Sequence, residues 1–334
     1  MAEKGLKLIF FGTSPFAVPI LAGLVRSPHT VALVVTQPDR PQGRGHRLVS
    51  PPVKRAALDW GLPLWQPEKV GSPASLEHLA NLAPDVLVTA AYGQILTRAV
   101  LNLPALAAIN VHASLLPKYR GPDPIRRVLL DGQTTTGVTI MHMERRVDAG
   151  DIILQEEVAI APDETYGTLQ EKLAQLGARL LVEALGLLAM GKAPRRPQDE
   201  EQASYAPPIT RQDEAIDWSG SAQKIAAQVR ALHPEPGAYT RWQETEVKVW
   251  RARPWPPSPA VRLPAGEKTS ANWLRPEDVI SPGEIIAVEK GQGLVVACGE
   301  GSLLVEEVQP GGGKRMAALA FANGYRLKVG SRLG

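Results

Sequence analysis

The sequence predicts an α/β protein of two domains: a Rossmann-like domain with a mostly parallel sheet, then a C-terminal β-barrel (OB-like) domain. Short apolar runs alternate with helical patterns over the first part of the chain, which is typical of parallel strands joined by crossover helices. A connector rich in proline and charge follows, and beyond it strand-like runs are separated by glycine-rich turns. We therefore expect a first domain over 1–191, a linker over 192–208 and a second domain over 209–334.

Short apolar runs predict the strands of the first domain, which cover residues 7–11, 31–36, 85–90, 107–111, 138–143 and 151–160. Apolar residues at helical spacing predict helices over 16–26, 52–60, 75–82 and 124–131. Pro52 and Pro124 suit the first helical turn, where the missing N–H has no intrahelical partner to lose. A long amphipathic helix over 165–190 closes the domain, with Gly191 just past its end.

The second domain opens with a predicted short helix over 221–232. Strand-like runs then cover residues 247–250, 284–288, 294–298 and 303–308. The proline-rich stretch 254–282 is predicted to be a loop between two of these strands.

Composition excludes several classes of protein. The 334-residue chain is 44% hydrophobic and 21% charged, and it has no apolar run of about 18 residues that could span a membrane. The regions of a signal peptide are missing ahead of the first predicted strand, so we expect a cytoplasmic protein without membrane contact. The single Cys298 excludes an intramolecular disulfide. Neither cysteines nor the His, Asp and Glu residues have the spacing of metal ligands, so no metal is expected.

Charge is distributed unevenly along the chain. The net charge is +3, but three stretches carry basic residues and no acidic ones, at 40–58, 248–262 and 308–334. Together they indicate a polyanionic partner, although a solvated surface is the simpler interpretation of any single stretch.

Candidate catalytic residues follow the strand predicted over 107–111. Asn110 and His112 are two residues apart, so they project to the same face at the end of the strand. An amide donor beside an imidazole suits acyl transfer, because one group can hold a developing oxyanion while the other moves protons. Asp148 lies in a later loop and could orient His112. Polar residues at strand ends are common, so these three residues alone leave a purely structural role open. The turn at 12–15 could hold an anion, but it lacks the glycine spacing of a dinucleotide site.

Several motifs resemble those of the methionyl-tRNA formyltransferase family over nearly the whole chain. The element Asn-x-His-x-Ser-Leu-Leu-Pro at 110–117, with the later Asp148, is specific for the wider folate-dependent formyltransferase superfamily. The loop Gln-Pro-Asp-Arg-Pro at 37–41 indicates the tRNA-directed family. Further matching stretches lie at 11–13, 16–19, 91–96, 136–139, 148–151, 205–207, 216–218 and 236–239.

The resemblance implies a role for each matching residue. Asn110 and His112 would face the formyl carbon, and Asp148 would partner His112. The donor would be 10-formyltetrahydrofolate, a cosubstrate, and the acceptor would be the α-amine of methionyl initiator tRNA. The implied folate contacts are Ser114, Leu115, Leu116 and Pro117, together with Tyr92, Gly93, Gln94, Ile95 and Leu96. We expect the enzyme to be a monomer.

The basic loop that carries Arg40, Arg44 and Arg47 is the candidate tRNA arm. The acceptor amine lies at the end of a long polyanion, so part of the enzyme must hold phosphates near the active site. The loop follows a predicted parallel strand and should leave the sheet at the same edge as His112. Its proline and glycines predict a bend rather than a strand or a helix. The alternative is an exposed loop whose charges only aid solubility.

The chain departs from the family pattern at three places. Pro122 and Asp123 replace a small apolar pair, Glu235 stands where many relatives carry Trp, and Pro208 replaces a frequent Lys. Asp123 is expected either to cap the helix over 124–131 or to pair with a neighbour such as Arg120. The three catalytic candidates are unaffected, so the implied reaction stands.

Four alternative functions fit the sequence less well. A formyltransferase acting on a nucleotide-linked amino sugar would share the 110–117 element, but it would not need a basic arm. A folate-dependent hydrolase would leave the second domain unexplained. A non-catalytic RNA-binding protein would not need Asn110, His112 and Asp148. A dinucleotide-linked oxidoreductase would need the glycine fingerprint that this chain lacks.

Overall fold

The computed structural model describes residues 5–42, 47–255 and 280–334. Its contacts divide the chain into two units. The first unit consists of Met1–Ile125, Thr135–Ile160 and Thr168–Pro208, and the second consists of Arg126–Thr134, Ala161–Gly167 and Ile209–Gly334. Two short segments from the N-terminal half of the chain therefore belong to the second unit.

A mixed sheet forms the centre of the first unit. In chain order the strands of this unit are β1 (Lys7–Gly12), β2 (Thr30–Val35), β3 (Arg40–Gln42), β4 (Arg47–Val49), β5 (Leu64–Trp65), β6 (Val86–Ala90), β7 (Ala107–His112), β8 (Thr135–His142) and β9 (Ile152–Ala159). Seven of them form one sheet in the order β5-β2-β1-β6-β7-β8-β9. Pairing is parallel from β5 to β7, whereas β8 is antiparallel to both of its neighbours. The predicted α/β class with a mostly parallel sheet is confirmed.

The central strands are mostly apolar because both of their faces are covered. Every residue of β6 is buried, and so are residues 8–12 of β1. Burial on both faces is typical of parallel strands with helices on each side. Such strands show a continuous apolar run rather than alternation, and that run made them predictable.

Helices connect these strands, and two of their ends show ordinary capping chemistry. They are α1 (Ala17–Val25), α2 (Pro52–Asp59), α3 (Pro73–Asn81), α4 (Arg98–Leu101), α5 (Pro124–Leu130) and α6 (Tyr166–Ala189). Ser72 caps α3 by accepting the backbone N–H of Ser75 at 3.2 Å. Gly191 follows α6 in the left-handed conformation, at φ +67°.

The prediction of a bend without strands at the arm is wrong. β3 and β4 pair antiparallel, with Arg40 opposite Val49 and Gln42 opposite Arg47. The two strands flank residues 43–46, which lie outside the described residues. Pro41 is tolerated because a two-stranded ribbon leaves one side of each strand without a pairing requirement.

The second unit is an antiparallel sheet with helices packed on it. Its strands are β10 (Ala238–Trp242), β11 (Thr245–Trp255), β12 (Ile285–Glu289), β13 (Gly293–Ala297), β14 (Ser302–Pro310) and β15 (Met316–Ala317), and its helices are α7 (Arg211–Glu214), α8 (Ala222–Ala231) and α9 (Ala318–Tyr325). The order is β10-β11-β14-β13-β12, with β15 also paired to β14. Within the described part of the chain, the edge strands β10 and β12 do not pair with each other. The predicted β-rich C-terminal domain is confirmed. Its core includes Trp218, Ile225, Val247, Leu303 and Phe321.

Backbone hydrogen bonds join the predicted linker to the rest of the first unit in two regions. Arg196 and Ile152 exchange backbone hydrogen bonds of 3.1 and 2.8 Å. Further along, Arg120 donates its N–H to Ser204 and accepts the N–H of Ala206, at 2.8 and 2.7 Å. A single 3₁₀ turn, Glu200–Gln202, lies between these two contacts. The segment therefore has a defined path along the first unit.

Candidate active site

The carboxyl-terminal parts of β6 and β7 fix the first catalytic candidate. Thr89 is opposite Asn110 in the register of these strands, and its hydroxyl donates to Asn110 Oδ1 at 2.7 Å. Asn110 Nδ2 donates to Asp148 Oδ1 at 3.3 Å. Because an ionised carboxylate only accepts hydrogen bonds, the amide nitrogen must face Asp148 and the amide oxygen must face Thr89.

Asp148 comes from the loop between β8 and β9 and lies between the other two candidates. Its Oδ2 accepts the backbone N–H of Gly121 at 2.8 Å and lies 3.6 Å from His112 Nδ1. The Asp148 side chain is only 13% exposed, and its backbone has a left-handed φ of +52°. Left-handed backbone is uncommon for a residue other than glycine and is frequent at functional sites. The structure thus brings Asn110, His112 and Asp148 together around one carboxylate.

His112 is buried, and its surroundings assign its ring protons. Nε2 lies 2.9 Å from the backbone carbonyl oxygen of Tyr119. A carbonyl oxygen only accepts, so Nε2 carries a proton and Nδ1 holds the lone pair of the neutral ring. A proton that His112 takes up therefore binds Nδ1, beside the negative charge of Asp148. This arrangement suits a general base, because the carboxylate stabilises the ring once it is protonated.

Sequence analysis did not identify Gln198 as part of this site. Its Nε2 donates to the carbonyl oxygens of Asp148 and Gly150, both at 2.8 Å. Its Oε1 accepts from Arg120 Nη2 at 2.8 Å. The Arg120 guanidinium is also hydrogen bonded to Glu200, at 3.0 and 3.1 Å. No signal in the sequence pointed to Gln198, because it lies in a connector whose composition is that of a solvated linker.

The turn at 114–117 directly follows β7, and internal hydrogen bonds hold it in place. Ser114 and Leu116 are buried, whereas Leu115 and Pro117 are partly exposed. The Thr139 hydroxyl donates to the Ser114 carbonyl oxygen at 2.6 Å and accepts the N–H of Leu116 at 3.2 Å. These contacts orient the two partly exposed side chains of the turn.

The loop at 92–96 follows β6 and combines fixed and exposed residues. The Tyr92 carbonyl oxygen accepts from the Thr13 hydroxyl at 2.7 Å, and Gln94 Oε1 accepts the N–H of Val70 at 3.1 Å. Gly93 has a φ of +89°, and Ile95 is 82% exposed. Leu96 is buried.

The Tyr92 side chain is the buried polar group of this loop. Its ring is 4% exposed and contacts Phe11 edge-on, with 5.3 Å between ring centres. Its hydroxyl is buried and has no hydrogen-bond partner within the described residues, and burial raises the pKa of this hydroxyl above its ordinary value.

Two of the three arm residues lie on the paired strands β3 and β4. The Arg40 side chain is 60% exposed and forms an ion pair of 2.7 Å with Glu68. Arg47 is the first residue of β4, and Arg44 lies within residues 43–46, outside the described residues. At the base of the hairpin, hydrogen bonds from Gln66 and then Lys54 hold the pKa of Asp39 below its usual range. Ordered contacts thus anchor the start of the arm.

The described residues offer neither a metal site nor a membrane span. Within the described ranges, no cluster of three or more His, Cys, Asp or Glu side chains could hold a metal ion. No helix among the same residues is long and apolar enough to cross a membrane.

Solved structures of similar fold include those of two other proteins. HypX from Aquifex aeolicus, in complex with tetrahydrofolic acid, matches 98% of this chain and 48% of its own, with a TM-score of 0.63 and 14% identity. An N-formyltransferase from Helicobacter canadensis matches 90% of this chain and 98% of its own, with a TM-score of 0.61 and 17% identity. At these identities the two structures show the fold alone.

Sequence comparison shows the family. The chain matches the formyl transferase family over residues 6–185 and the formyl transferase C-terminal domain family over residues 208–326. A methionyl-tRNA formyltransferase from Moorella thermoacetica is 45% identical over 329 residues, which are 98% of this chain and 99% of that protein. The resemblance seen in the motifs is therefore confirmed over the full length, and the chain belongs to the methionyl-tRNA formyltransferase family.

Proposed function

We propose that this chain transfers the formyl group of 10-formyltetrahydrofolate to the α-amine of methionyl initiator tRNA, in translation initiation. The observation that carries the proposal is the Asp148 carboxylate, which lies against both the Asn110 amide and the His112 imidazole. It occurs in a chain that is 45% identical to a methionyl-tRNA formyltransferase over nearly its whole length.

The chemistry assigns one task to each side chain. The methionyl nitrogen attacks the formyl carbon, a C–N bond forms, and the formyl oxygen becomes an oxyanion. One N–H of Asn110 is directed at Asp148, which leaves the other N–H to stabilise that oxyanion. Nδ1 of His112 takes the proton released by the attacking amine. It then gives this proton to the folate nitrogen as the bond between that nitrogen and the formyl carbon breaks. Asp148 stabilises the charged imidazole between these two steps.

We assign the folate to the turn at 114–117 and the loop at 92–96. Both follow strands that end beside Asn110, since β6 and β7 are parallel neighbours. The exposed Ile95 and the positive φ of Gly93 suit a flat ring that approaches the backbone closely. The buried hydroxyl of Tyr92, which lacks a partner within the described residues, is a polar atom available to a ligand.

The tRNA is assigned to the arm that carries Arg40, Arg44 and Arg47. The ion pair of Arg40 with Glu68 is exposed, so it contributes little and can be exchanged for a phosphate. We further propose that the protein acts as a monomer in the cytoplasm, where its charged tRNA substrate is found, and that residues 209–334 form the tRNA-binding domain. A single species of about 36 kDa in light scattering would support the monomer.

Acceptor choice tests the proposal. Purified protein would be incubated with 10-formyltetrahydrofolate and with methionyl initiator tRNA, methionyl elongator tRNA or a nucleotide-linked amino sugar. We expect formylation of the initiator tRNA and none of the sugar. Formylation of the sugar alone would overturn the assigned acceptor.

A further inference from the structure

Asp148 follows an exposed stretch of the loop between β8 and β9. The four residues before it, 144–147, are mostly exposed, and Asp148 itself has a left-handed backbone. A non-glycine residue in that conformation needs surrounding contacts to keep it there. The contacts to its backbone carbonyl oxygen are therefore relevant to where its carboxylate lies.

Gln198 supplies such a contact in an orientation that the surrounding groups determine. A guanidinium only donates hydrogen bonds, so the oxygen of the Gln198 amide must face Arg120, at 2.8 and 3.1 Å. Backbone carbonyl oxygens only accept, so the amide nitrogen must face Asp148 and Gly150, at 2.8 Å each. No other orientation of this amide satisfies all four hydrogen bonds.

Arg120 in turn fixes Gln198. Its side chain is only 2% exposed, and two further N–H groups donate to the Glu200 carboxylate. A buried guanidinium with several acceptors is rigid, because moving it would leave a charge without partners. The neighbouring Gly121 donates its N–H to Asp148 Oδ2, so residues 120 and 121 reach Asp148 both through Gln198 and directly.

We propose that Gln198, held by Arg120, is a positioning residue that keeps the Asp148 carboxylate between Asn110 and His112. Gln198 acts on the loop backbone and has no assigned contact with substrate. This inference rests on the proposed role of Asp148 in formyl transfer. A carboxylate displaced by about 1 Å would lower turnover by roughly 10²-fold or less.

The variant Gln198→Glu keeps the hydrogen-bond acceptor of this side chain and removes its donor. A carboxylate in this place still accepts from Arg120, but it cannot donate to Asp148 and Gly150, and it brings a negative charge towards their carbonyl oxygens. We expect kcat to fall by roughly 10- to 100-fold with the Michaelis constants for both substrates nearly unchanged. The kcat of Gln198→Ala, which removes the amide without adding charge, should fall as well.

Gln202→Glu is the matched control, because Gln202 is exposed in the same connector and contacts Asp199. Its kcat should equal that of the wild type.

A double-mutant cycle distinguishes positioning from general stability. In an Asp148→Ala background, Gln198→Ala should cause no further loss of turnover, because the carboxylate that Gln198 positions is already absent. An equal fold-loss in both backgrounds, or a wild-type kcat for both Gln198 variants, would overturn the inference while leaving the proposed function intact. A fully active Asp148→Ala variant would instead overturn the catalytic assignment, and the inference with it. Melting curves of each variant identify any loss that comes from unfolding.

Discussion

At the scale of single residues, the site depends on which nitrogen of His112 carries a proton. The carbonyl oxygen of Tyr119 fixes a proton on Nε2 of His112, so in the proposed mechanism the exchange of protons with substrate takes place at Nδ1. The same nitrogen faces the carboxylate of Asp148. The imidazole therefore gains and loses its proton where a fixed negative charge stabilises the charged form.

Removal of the side chain of either His112 or Asn110 should lower turnover while the fold survives. His112→Ala and Asn110→Ala should each lower kcat by on the order of 10²–10³-fold, since each removes a group that acts in the transition state. His78 provides a matched control, because it is an exposed histidine that packs on Trp65, and His78→Ala should retain wild-type kcat. Near-normal turnover of His112→Ala in a steady-state formylation assay would contradict the assignment.

The sequence could suggest the three catalytic candidates but not the residue that we propose to position one of them. Asn110 and His112 are two residues apart in one strand, and Asp148 belongs to a recognisable motif. Gln198 lies 50 residues beyond Asp148 in the chain, in a connector rich in proline and charge. Composition indicates solvent exposure for such a segment, and only the folded path brings it to the loop.

At the scale of elements, the arm differs most from its prediction. Turn residues predicted a bend, but three residues on each side pair as β3 and β4. Strands this short have no periodicity for a sequence pattern to show, and the same holds for the two-residue β5. The longer buried strands were predictable because their apolar runs are continuous.

The arm should govern tRNA binding and leave folate binding unchanged. Arg44→Ala should raise the Michaelis constant for tRNA by about tenfold and make the salt dependence of binding shallower by roughly one unit of slope. Arg26→Ala, at an exposed arginine just after α1, should change neither constant. If the folate constant moves together with the tRNA constant, or if neither moves, the arm does not hold the RNA.

An ion pair in the second unit should make stability depend on acid pH. Hydrogen bonds from Arg127, and further bonds from Thr210, lower the pKa of Asp213 from 3.8 to about 2. Because the folded pKa is depressed, this stabilisation is present above the unfolded pKa and is lost as the pH falls towards 2. Asp213→Asn should lower the free energy of unfolding by about 2 kcal/mol at pH 7. In urea titrations this difference should shrink below pH 4, whereas Asp59→Asn, at an exposed carboxylate of α2, should match the wild type. A difference that stays constant down to pH 2 would contradict the account.

At the scale of the whole molecule, the second unit is discontinuous in sequence. Arg127 belongs to the segment 126–134 and pairs with Asp213, 86 residues further along the chain, at 2.9 Å. Arg126 of the same segment stacks on the Tyr166 ring, which belongs to the segment 161–167. A boundary inferred from changes in composition cannot detect two short segments that belong to the second unit but lie within the sequence of the first. The division at 191 and 209 therefore stays a prediction.

Cys298 reports on the core of the second unit. It is buried there, and burial raises the pKa of its thiol to about 11. At pH 8 only about one thiol in a thousand would be ionised, and access to it is blocked as well. Iodoacetamide should therefore label the native protein much more slowly than the urea-unfolded protein, by at least about 100-fold. Equal labelling rates at pH 8 would show that this core is open in the native state.

The fate of the formyl carbon tests the central claim most directly. In a single turnover, 10-formyltetrahydrofolate labelled in the formyl carbon would be mixed with excess enzyme and methionyl initiator tRNA, for the wild type and for Asp148→Asn. We predict that the label appears on the methionyl amine, and that it does so on the order of 10²-fold or more faster with the wild type than with the variant. Label recovered as formate, or transfer by Asp148→Asn at the wild-type rate, would contradict a formyl transfer organised around the Asp148 carboxylate.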